Sequence, residues 1–226
     1  MTEDVSFYVE EARRAGGPVV ELAVGTGRIA IPTAAQGIRV IGIDSSPGML
    51  EVCHERAELA GVASLLDLRL GDLLEPPVDE RVRLVTCPFR SYLHLLGDEE
   101  RLRALGAARE LLVPGGRLVF ESRDPARAAW LEWTRDQTYR RVVVPGAGPV
   151  ETWTDLTAVE GNLVSFRTTF VLGRRGTVLT SDSTLRFRSH DELTHSLLAV
   201  GLVVDEVRSA PDRPGREFVF ITHRPP

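Results

Sequence analysis

The sequence predicts an α/β fold, a doubly wound, Rossmann-like sheet of seven strands that carries an inserted subdomain of antiparallel β-hairpins. Before about residue 135, short apolar runs alternate with longer amphipathic segments, which is typical of parallel strands joined by crossover helices. Between residues 136 and 188, apolar runs follow one another with only turns between them. Because 226 residues exceed an average domain of about 150 residues only moderately, we expect one enlarged domain over residues 1–226.

The strands of the main sheet and the helices between them are assigned in chain order. Strands are expected at residues 18–24, 38–43, 65–70, 83–86, 117–121, 202–207 and 217–222. Helices are expected at residues 26–36, 46–59, 98–112 and 190–200. Ser45 or Ser46 is a suitable N-cap for the second helix and Ser189 for the last, while Gly37 and Gly201 end the first and the last.

The inserted segment is expected to form four antiparallel strands, at residues 139–144, 150–159, 163–172 and 177–187. Turn-forming residues stand at 160–162 and 174–176. In the third strand, alternation places Val164 on one face and Arg167 and Thr169 on the other, so one face should be covered and the other solvated. An exposed edge of this sheet is also where a homodimer would form, because unpaired edges must be covered.

Composition and charge exclude several classes of function. The 27 basic residues are all arginine, are outnumbered by 32 acidic residues and form no concentrated stripe, so no nucleic-acid partner is expected. No apolar run approaches the ~20 residues that cross a bilayer, and the amino end lacks a signal peptide, so we expect a cytoplasmic protein without a membrane partner. Cys53, Cys87 and the histidines do not group, so no metal is expected.

The first strand passes into the first helix through a glycine-rich turn, ELAVGTGR at residues 21–28. Glycines there let a ligand approach the backbone, at the edge of the sheet where open α/β folds bind nucleotides. About 20 residues later, Asp44 ends the second strand, where a carboxylate accepts hydrogen bonds from both ribose hydroxyls. Its alternative role is a helix cap. Asp72 follows the third strand, where it either accepts a hydrogen bond from an adenine amine or forms a turn.

These acidic strand ends favour a nucleoside without phosphate. A dinucleotide fingerprint would need a third glycine near Ala30, and a phosphate loop would need a lysine, of which the chain has none. No arginine cluster stands in the three turns to neutralise a diphosphate. An NAD-linked oxidoreductase is therefore disfavoured.

With these residues in place, the chain resembles the class I S-adenosylmethionine-dependent methyltransferases, particularly the bacterial small-molecule group. The matching blocks run in order over residues 18–122: VVELAVGTGRIAIPTA, IRVIGIDSSPGMLEVC, LRLGDLLE, LVTCPFRSYLHL and LLVPGGRLVFES. The resemblance implies S-adenosyl-L-methionine as the cofactor and a last strand inserted antiparallel between its neighbours. The implied cofactor contacts are Glu21, Ala23, Gly25 and Gly27 at the methionine moiety, Asp44 at the ribose, Ser45, Met49, Asp72 and Leu73 at the adenine, and Cys87 and Phe89 at the sulfonium end.

Two features depart from that family's pattern. Ala23 stands where the family usually has glycine, so its methyl group is expected to crowd the cofactor. The family usually carries a helical lid before the segment that matches residues 4–9, and three residues precede it here, so we expect the lid to be built differently or to be partly absent. Both features favour the alternative of a non-catalytic S-adenosylmethionine-binding or nucleoside-binding protein with this fold.

The predicted activity is methyl transfer to an oxygen or nitrogen of a small molecule. A hydroxyl or ammonium acceptor needs a proton acceptor in addition to positioning and desolvation. His94, after the fourth strand, is the first candidate because its unperturbed pKa lies near neutrality, although a packed structural histidine is the alternative. Glu121, at the end of the fifth strand, is the second candidate.

Aromatic and basic side chains supply the candidates for acceptor contacts. Tyr8 and Tyr92 would offer aromatic faces near the sulfonium or the acceptor, and Arg90 would recognise an acidic group. The inserted strands are expected to cover the acceptor end. Three tryptophans either line that pocket or hold the inserted sheet in place: Trp130, Trp133 and Trp153.

Overall fold

Two β-sheets and their flanking helices form the molecule. The computed structural model describes residues 3–89, 91–144, 146, 148–173 and 176–226. The strands are β1 (Val19–Leu22), β2 (Val40–Asp44), β3 (Leu66–Leu70), β4 (Val82–Cys87), β5 (Leu112–Arg123), β6 (Arg140–Val144), β7 (Gly148–Glu160), β8 (Leu163–Leu172), β9 (Thr177–Arg186), β10 (Val203–Ala210) and β11 (Arg213–His223). The α-helices are α1 (Glu3–Ala15), α2 (Ala30–Ala34), α3 (Pro47–Leu59), α4 (Asp98–Glu110), α5 (Arg135–Thr138) and α6 (His190–Ala199). In the described part of the chain, no helix is long and apolar enough to cross a membrane.

The main sheet has seven strands in the order β10-β11-β5-β4-β1-β2-β3. β1 pairs in parallel with both β2 and β4, while β11 runs antiparallel between β10 and β5. The strand order reverses at β1, and in open α/β sheets the crevice at such a reversal is where ligands bind. The predicted doubly wound sheet and its antiparallel last strand are therefore confirmed.

Alternate residues of the central strands face two separate hydrophobic layers. On one side of the sheet, α1 packs Val5 and Val9 into the same cluster as Val19 of β1. On the other side, helices α4 and α6 cover Val20 of β1 and Phe120 of β5. Both faces are thus covered, as a parallel sheet requires.

The first crossover helix and the fifth strand begin at other residues than predicted, and the local backbone conformation is the cause in both cases. The first crossover helix is much shorter than predicted, because residues 25–29 form a turn in which Gly25 and Gly27 have φ values of 54° and 81°. The Pro114-Gly115-Gly116 turn lies inside β5, where the pairing with β4 shifts register between Val82 and Leu84. A bulge inside a strand has the same turn residues as a loop, so the sequence alone does not distinguish them.

The inserted segment forms a four-stranded antiparallel sheet in the order β6-β7-β8-β9. Val164 of β8 is buried and Arg167 is exposed, as predicted, but Thr169 is also buried, so the prediction of a fully solvated second face is wrong. Arg174 and Arg175 of the predicted second turn lie outside the described residues. Edge strands β6 and β9 carry exposed apolar side chains, and self-association through them stays a prediction.

The short 3₁₀ helix Ser91–His94 joins the two sheets. Its Leu93 is buried in a cluster with Val164 of β8 and Phe187, just after β9. Arg188 is buried, with 1% of the residue exposed. Its guanidinium donates to the backbone oxygens of the three residues that follow this 3₁₀ helix, at 2.7 Å for Leu95, 3.5 Å for Leu96 and 3.3 Å for Gly97. The inserted sheet therefore determines where the segment after His94 lies.

Substitution of Gly116 by alanine tests the packing of β5 against β4. In Gly116→Ala the new Cβ would lie 2.9 Å from the backbone oxygen of Val113 and 3.1 Å from that of Val82, and backbone atoms cannot easily move away. We expect the free energy of unfolding to fall by about 1–3 kcal/mol.

The matched control is Gly106→Ala, in the interior of α4, where a Cβ meets nothing within 4 Å. That variant should be more stable by about 0.5–1 kcal/mol because alanine has the higher helix propensity. Urea denaturation measures both, and a change of the same sign in the two variants would contradict this account.

Candidate active site

A cavity of about 450 Å³ opens at the carboxyl ends of β1, β2 and β3. Its volume lies within the range of about 300–1,000 Å³ that is usual for small-molecule sites. It brings together six residues that the sequence predicts for the site: Ala23, Asp44, Ser45, Asp72, Leu73 and His94. Its wall also contains residues that are not predicted from the sequence: Leu74, which lies in the block LRLGDLLE beside Leu73, and Glu100, which lies in no motif.

The Asp44 carboxylate ties the turn after β1 to the start of α3. Its Oδ2 accepts the backbone N–H of Gly25 at 2.8 Å, and its Oδ1 accepts that of Ser46 at 2.9 Å. Each carboxylate oxygen has a further lone pair, so both remain able to accept a hydroxyl of a ribose. Ser46 rather than Ser45 caps α3, because its Oγ accepts the backbone N–H of Met49, and Ser45 is left in the cavity wall.

The turn after β1 places one non-glycine residue in the left-handed region of backbone conformation. Ala23 has φ 57°, a value that costs an L-residue energy and that glycine adopts freely. Gly25 has φ 54°, and a Cβ there would meet nothing within 4 Å, so the space above it is open. At position 27 close packing requires glycine instead, because an added Cβ would lie 2.7 Å from the Sγ of Cys53 on α3.

Glu21 is a buried carboxyl group beneath the cavity. It is the third residue of β1 and is 2% exposed. Burial raises the pKa of Glu21 from its ordinary value of 4.5 to about 8, because the charged form loses its hydration. The side chain is therefore largely protonated near neutral pH.

Asp72 forms the predicted turn and lies in the wall of the cavity, and its contact with adenine stays a prediction. Its Oδ1 accepts the backbone N–H of Leu74 at 2.8 Å, which closes a turn after β3, and the residue also lines the cavity. The preceding residue, Gly71, must be a glycine, because an added Cβ would lie 2.4 Å from the Cδ of Pro77. The turn after β3 is thus held tightly against the cavity.

A second cavity, of about 290 Å³, lies between the two sheets. His94 lines this cavity as well as the first, and it is the residue of the described chain that both linings share. Partial burial lowers the pKa of His94, because a charged imidazole would lose hydration there. The remaining wall is aromatic, apolar and hydroxyl-bearing: Phe89, Arg123, Trp133, Thr138, Thr154, Phe166 and Leu185.

Several residues predicted for acceptor or proton-transfer roles are core side chains instead. Tyr8 is buried and donates its hydroxyl hydrogen to Oε1 of Glu121 at 2.9 Å, and Glu121 itself is 1% exposed. Tyr92 is buried against the ring of Phe120, with ring centroids 4.9 Å apart. Neither tyrosine lines either of the two cavities, since the apolar ring of each fills space in the core. Arg90 lies outside the described residues.

Six residues predicted at the cofactor are absent from the lining of the first cavity: Glu21, Gly25, Gly27, Met49, Cys87 and Phe89. Cys87 is buried in the core of the main sheet, where burial raises the pKa of its thiol to about 12. Met49 is exposed on the first turn of α3 and is absent from the cavity lining. Phe89 has φ 58° and lines the second cavity, with the guanidinium carbon of Arg28 4.2 Å from its ring centroid.

Comparison with known proteins agrees with this geometry. Residues 19–116 match the model of a family described as a methyltransferase domain. An uncharacterized methyltransferase of Geobacillus kaustophilus is 36% identical over 110 residues, which are 48% of this chain and 48% of that protein. The chain spans about half the length of the curated relatives it matches.

Solved structures match over almost the whole chain. The CcbJ methyltransferase of Streptomyces caelestis matches with a TM-score of 0.78 and 25% identity, over 99% of this chain and 89% of that one. Residues 19–116 therefore belong to the methyltransferase-domain family, and the chain has the fold of a class I S-adenosylmethionine-dependent methyltransferase. The fold of this methyltransferase is also that of the sugar N-methyltransferase KedS8 of a Streptoalloteichus species, with a TM-score of 0.78 and 18% identity over 99% and 87% of the two chains.

The residues of the first cavity fit the cofactor of this methyltransferase family. Asp44 offers carboxylate oxygens to the ribose, the open space above Gly25 admits a ligand close to the backbone, and Asp72 and Leu73 lie where the adenine is expected. When bound, S-adenosylmethionine supplies an electrophilic methyl group. His94 lies in the wall of the same cavity.

Substitution of Asp44 tests the ribose contact of this methyltransferase. Asp44→Ala should weaken the binding of S-adenosylhomocysteine by about 1–3 kcal/mol, because charge-assisted hydrogen bonds are lost. Isothermal titration calorimetry measures the affinity. Asp67→Ala is the control, since that β3 carboxylate pairs with Arg39 and Arg69 and is absent from the cavity lining. Equal losses in both variants would show that the ribose assignment is wrong.

The buried carboxyl of Glu21 predicts a pH-dependent stability. The folded state holds this proton up to a pKa of about 8 whereas the unfolded chain releases it near 4.5, so stability should fall as pH rises between those values. Relative to Glu21→Gln, the free energy of unfolding of the unmodified protein should fall by roughly 3 kcal/mol from pH 5 to pH 8. Urea denaturation at several pH values measures the difference, and parallel pH profiles would contradict the prediction.

Proposed function

We propose that this methyltransferase moves the methyl group of S-adenosylmethionine to a nitrogen or oxygen of a small molecule, with His94 as the proton acceptor. The observation that carries the proposal is that His94 lines both cavities, the one that fits the cofactor and the one beneath the inserted sheet. An acceptor in the second cavity would thus have its nucleophilic atom beside the same imidazole that borders the methyl donor. Proximity of this kind supplies much of the rate of a transfer reaction.

The state of the imidazole suits the acceptance of a proton. Because partial burial lowers the pKa of His94, the ring is neutral at physiological pH and one nitrogen is free to take a proton. Phe89, Trp133 and Phe166 form an aromatic wall of the second cavity beside His94, whose side chain stays accessible to solvent. His94 is thereby placed as a general base.

A nitrogen acceptor is favoured over an oxygen acceptor. An imidazole of lowered pKa is a weak base, and it matches the proton of an ammonium group better than the much more tightly held proton of an alcohol. Two structural neighbours are a sugar N-methyltransferase and a glycopeptide N-methyltransferase, proteins that methylate nitrogen. These neighbours support the same choice here.

The test is transfer of a labelled methyl group from S-adenosylmethionine to matched amine and hydroxyl acceptors. We expect incorporation into small amines. Incorporation into hydroxyl compounds alone would reject the choice of nitrogen. Tight binding of S-adenosylhomocysteine without transfer to any acceptor of the panel would instead favour the non-catalytic alternative.

Substitution of His94 separates a base from a packing residue. His94→Gln should lower kcat by about 100-fold, the lower end of the usual range for a general base, while the affinity for S-adenosylhomocysteine changes little. In the unmodified protein, kcat should rise with pH as the imidazole of His94 becomes neutral, with a midpoint below pH 6.5. This rise should disappear in the variant.

His195→Gln is the matched control, because His195 is an exposed histidine of α6 whose Nδ1 contacts the backbone oxygen of Asp191. Its kcat and pH profile should be unchanged. An unchanged kcat in His94→Gln would return His94 to a structural role.

A further inference from the structure

A third recess, of about 280 Å³, continues from the second cavity away from His94. The two linings share Arg123, Trp133 and Thr138, so the second cavity and the recess adjoin at these side chains. The recess is bounded by the segment before β6, by β6 itself and by the start of β11, and the residues that complete its lining are Ala129, Glu132, Gln137, Arg140, Arg213, Arg216 and Glu217.

The recess has an excess of positive charge. Four guanidinium groups line it against two carboxylates. Glu132 accepts two hydrogen bonds from Arg216, at 2.8 and 3.0 Å. Glu217 lies 3.8 Å from the Nε of Arg123 and 3.5 Å from Nη1 of Arg213. Arg213 also pairs with Asp212, at 2.9 Å, so three carboxylates are shared among four guanidinium groups and one positive charge is left in excess.

Arg140 contributes a large part of that excess. Its Nη1 donates to the backbone oxygen of Tyr139 at 3.0 Å, and within the described chain no carboxylate is seen within ion-pair distance of it. It is the first residue of β6, and its neighbour Arg141 is absent from the recess lining, as alternation along a strand requires. Arg140 therefore directs its charge to the recess while Arg141 does not.

Arg123 is held at the junction of the recess and the second cavity. Its guanidinium carbon lies 5.1 Å from the ring centroid of Trp133, a cation–π contact that orients the planar group. A planar, oriented guanidinium is suited to oxyanions, because its N–H groups match two oxygens of a carboxylate or phosphate at once. A partly enclosed site with an excess of positive charge also attracts anions over some distance.

We propose that this recess binds an oxyanion, a carboxylate or a phosphate ester, that is part of the methyl acceptor. The inference rests on the proposed function, because it makes the acceptor an amine that carries its anionic group at the end remote from His94. Aromatic walls hold the middle of such a molecule, and the arginines hold its far end. Charge at the recess would then set both the affinity and the orientation of the acceptor.

The experiment compares three amines built on one carbon skeleton: glucosamine, 2-amino-2-deoxyglucuronic acid and glucosamine 6-phosphate. Calorimetry in the presence of S-adenosylhomocysteine measures their binding without requiring transfer. We expect at least one of the two anionic compounds to bind five-fold or more tightly than glucosamine. The carboxylate and phosphate arms distinguish the two sources of the oxyanion. Equal affinities for all three, or no binding of either anion at millimolar concentration, overturns the proposal.

Arg140→Gln should weaken the binding of the preferred anionic compound about ten-fold while leaving that of glucosamine unchanged. Arg141→Gln is the matched control on the same strand and should leave both affinities unchanged. Equal losses in the two variants, or no loss in Arg140→Gln, would overturn the assignment of the recess. Thermal denaturation confirms that both variants are folded.

The outcomes separate this inference from the proposed function. Anion binding that depends on Arg140 without methyl transfer to any acceptor supports the recess and rejects the proposed activity. Methyl transfer to amines without an anionic group, with no preference for amines that carry one, supports the activity and rejects the assignment of the recess as an oxyanion site.

Discussion

The hydrogen bonds from Arg188 to the backbone of residues 95–97 are the constraint on which the rest of the site depends. The buried guanidinium of Arg188 donates to three consecutive backbone oxygens, and Leu93 packs into the cluster at the base of the inserted sheet. His94 lies between these two attachments. It borders both cavities because the inserted sheet and the main sheet are joined at this point.

Charge changes sign along the line of cavities. Carboxylates stand at the end where the cofactor is expected, with Asp44 and Asp72 in the wall, whereas guanidinium groups prevail in the recess. His94 lies between them, with a pKa lowered by partial burial. A molecule with a cationic or hydroxyl-bearing end and an anionic end is thus oriented by the site before any close contact forms.

Two energetic costs are concentrated beneath the cofactor cavity. Ala23 holds a left-handed backbone conformation, and Glu21 is a carboxyl group without access to water. Such costs persist only where the surrounding structure enforces them, and they cluster at functional sites. Here the Asp44 carboxylate stabilises the turn through the N–H of Gly25, which places the strain and the binding surface in one segment.

The sequence by itself determined the main sheet, the inserted strands and the turns after β1, β2 and β3, because periodicity and turns depend on contacts between near neighbours in the chain. Tertiary structure alone decided that Tyr8 and Tyr92 are core residues, since the burial of an aromatic ring depends on which surfaces meet it. It also decided that Arg123, Arg140 and Arg216 converge. Those arginines come from three distant parts of the chain, and no local pattern records their proximity.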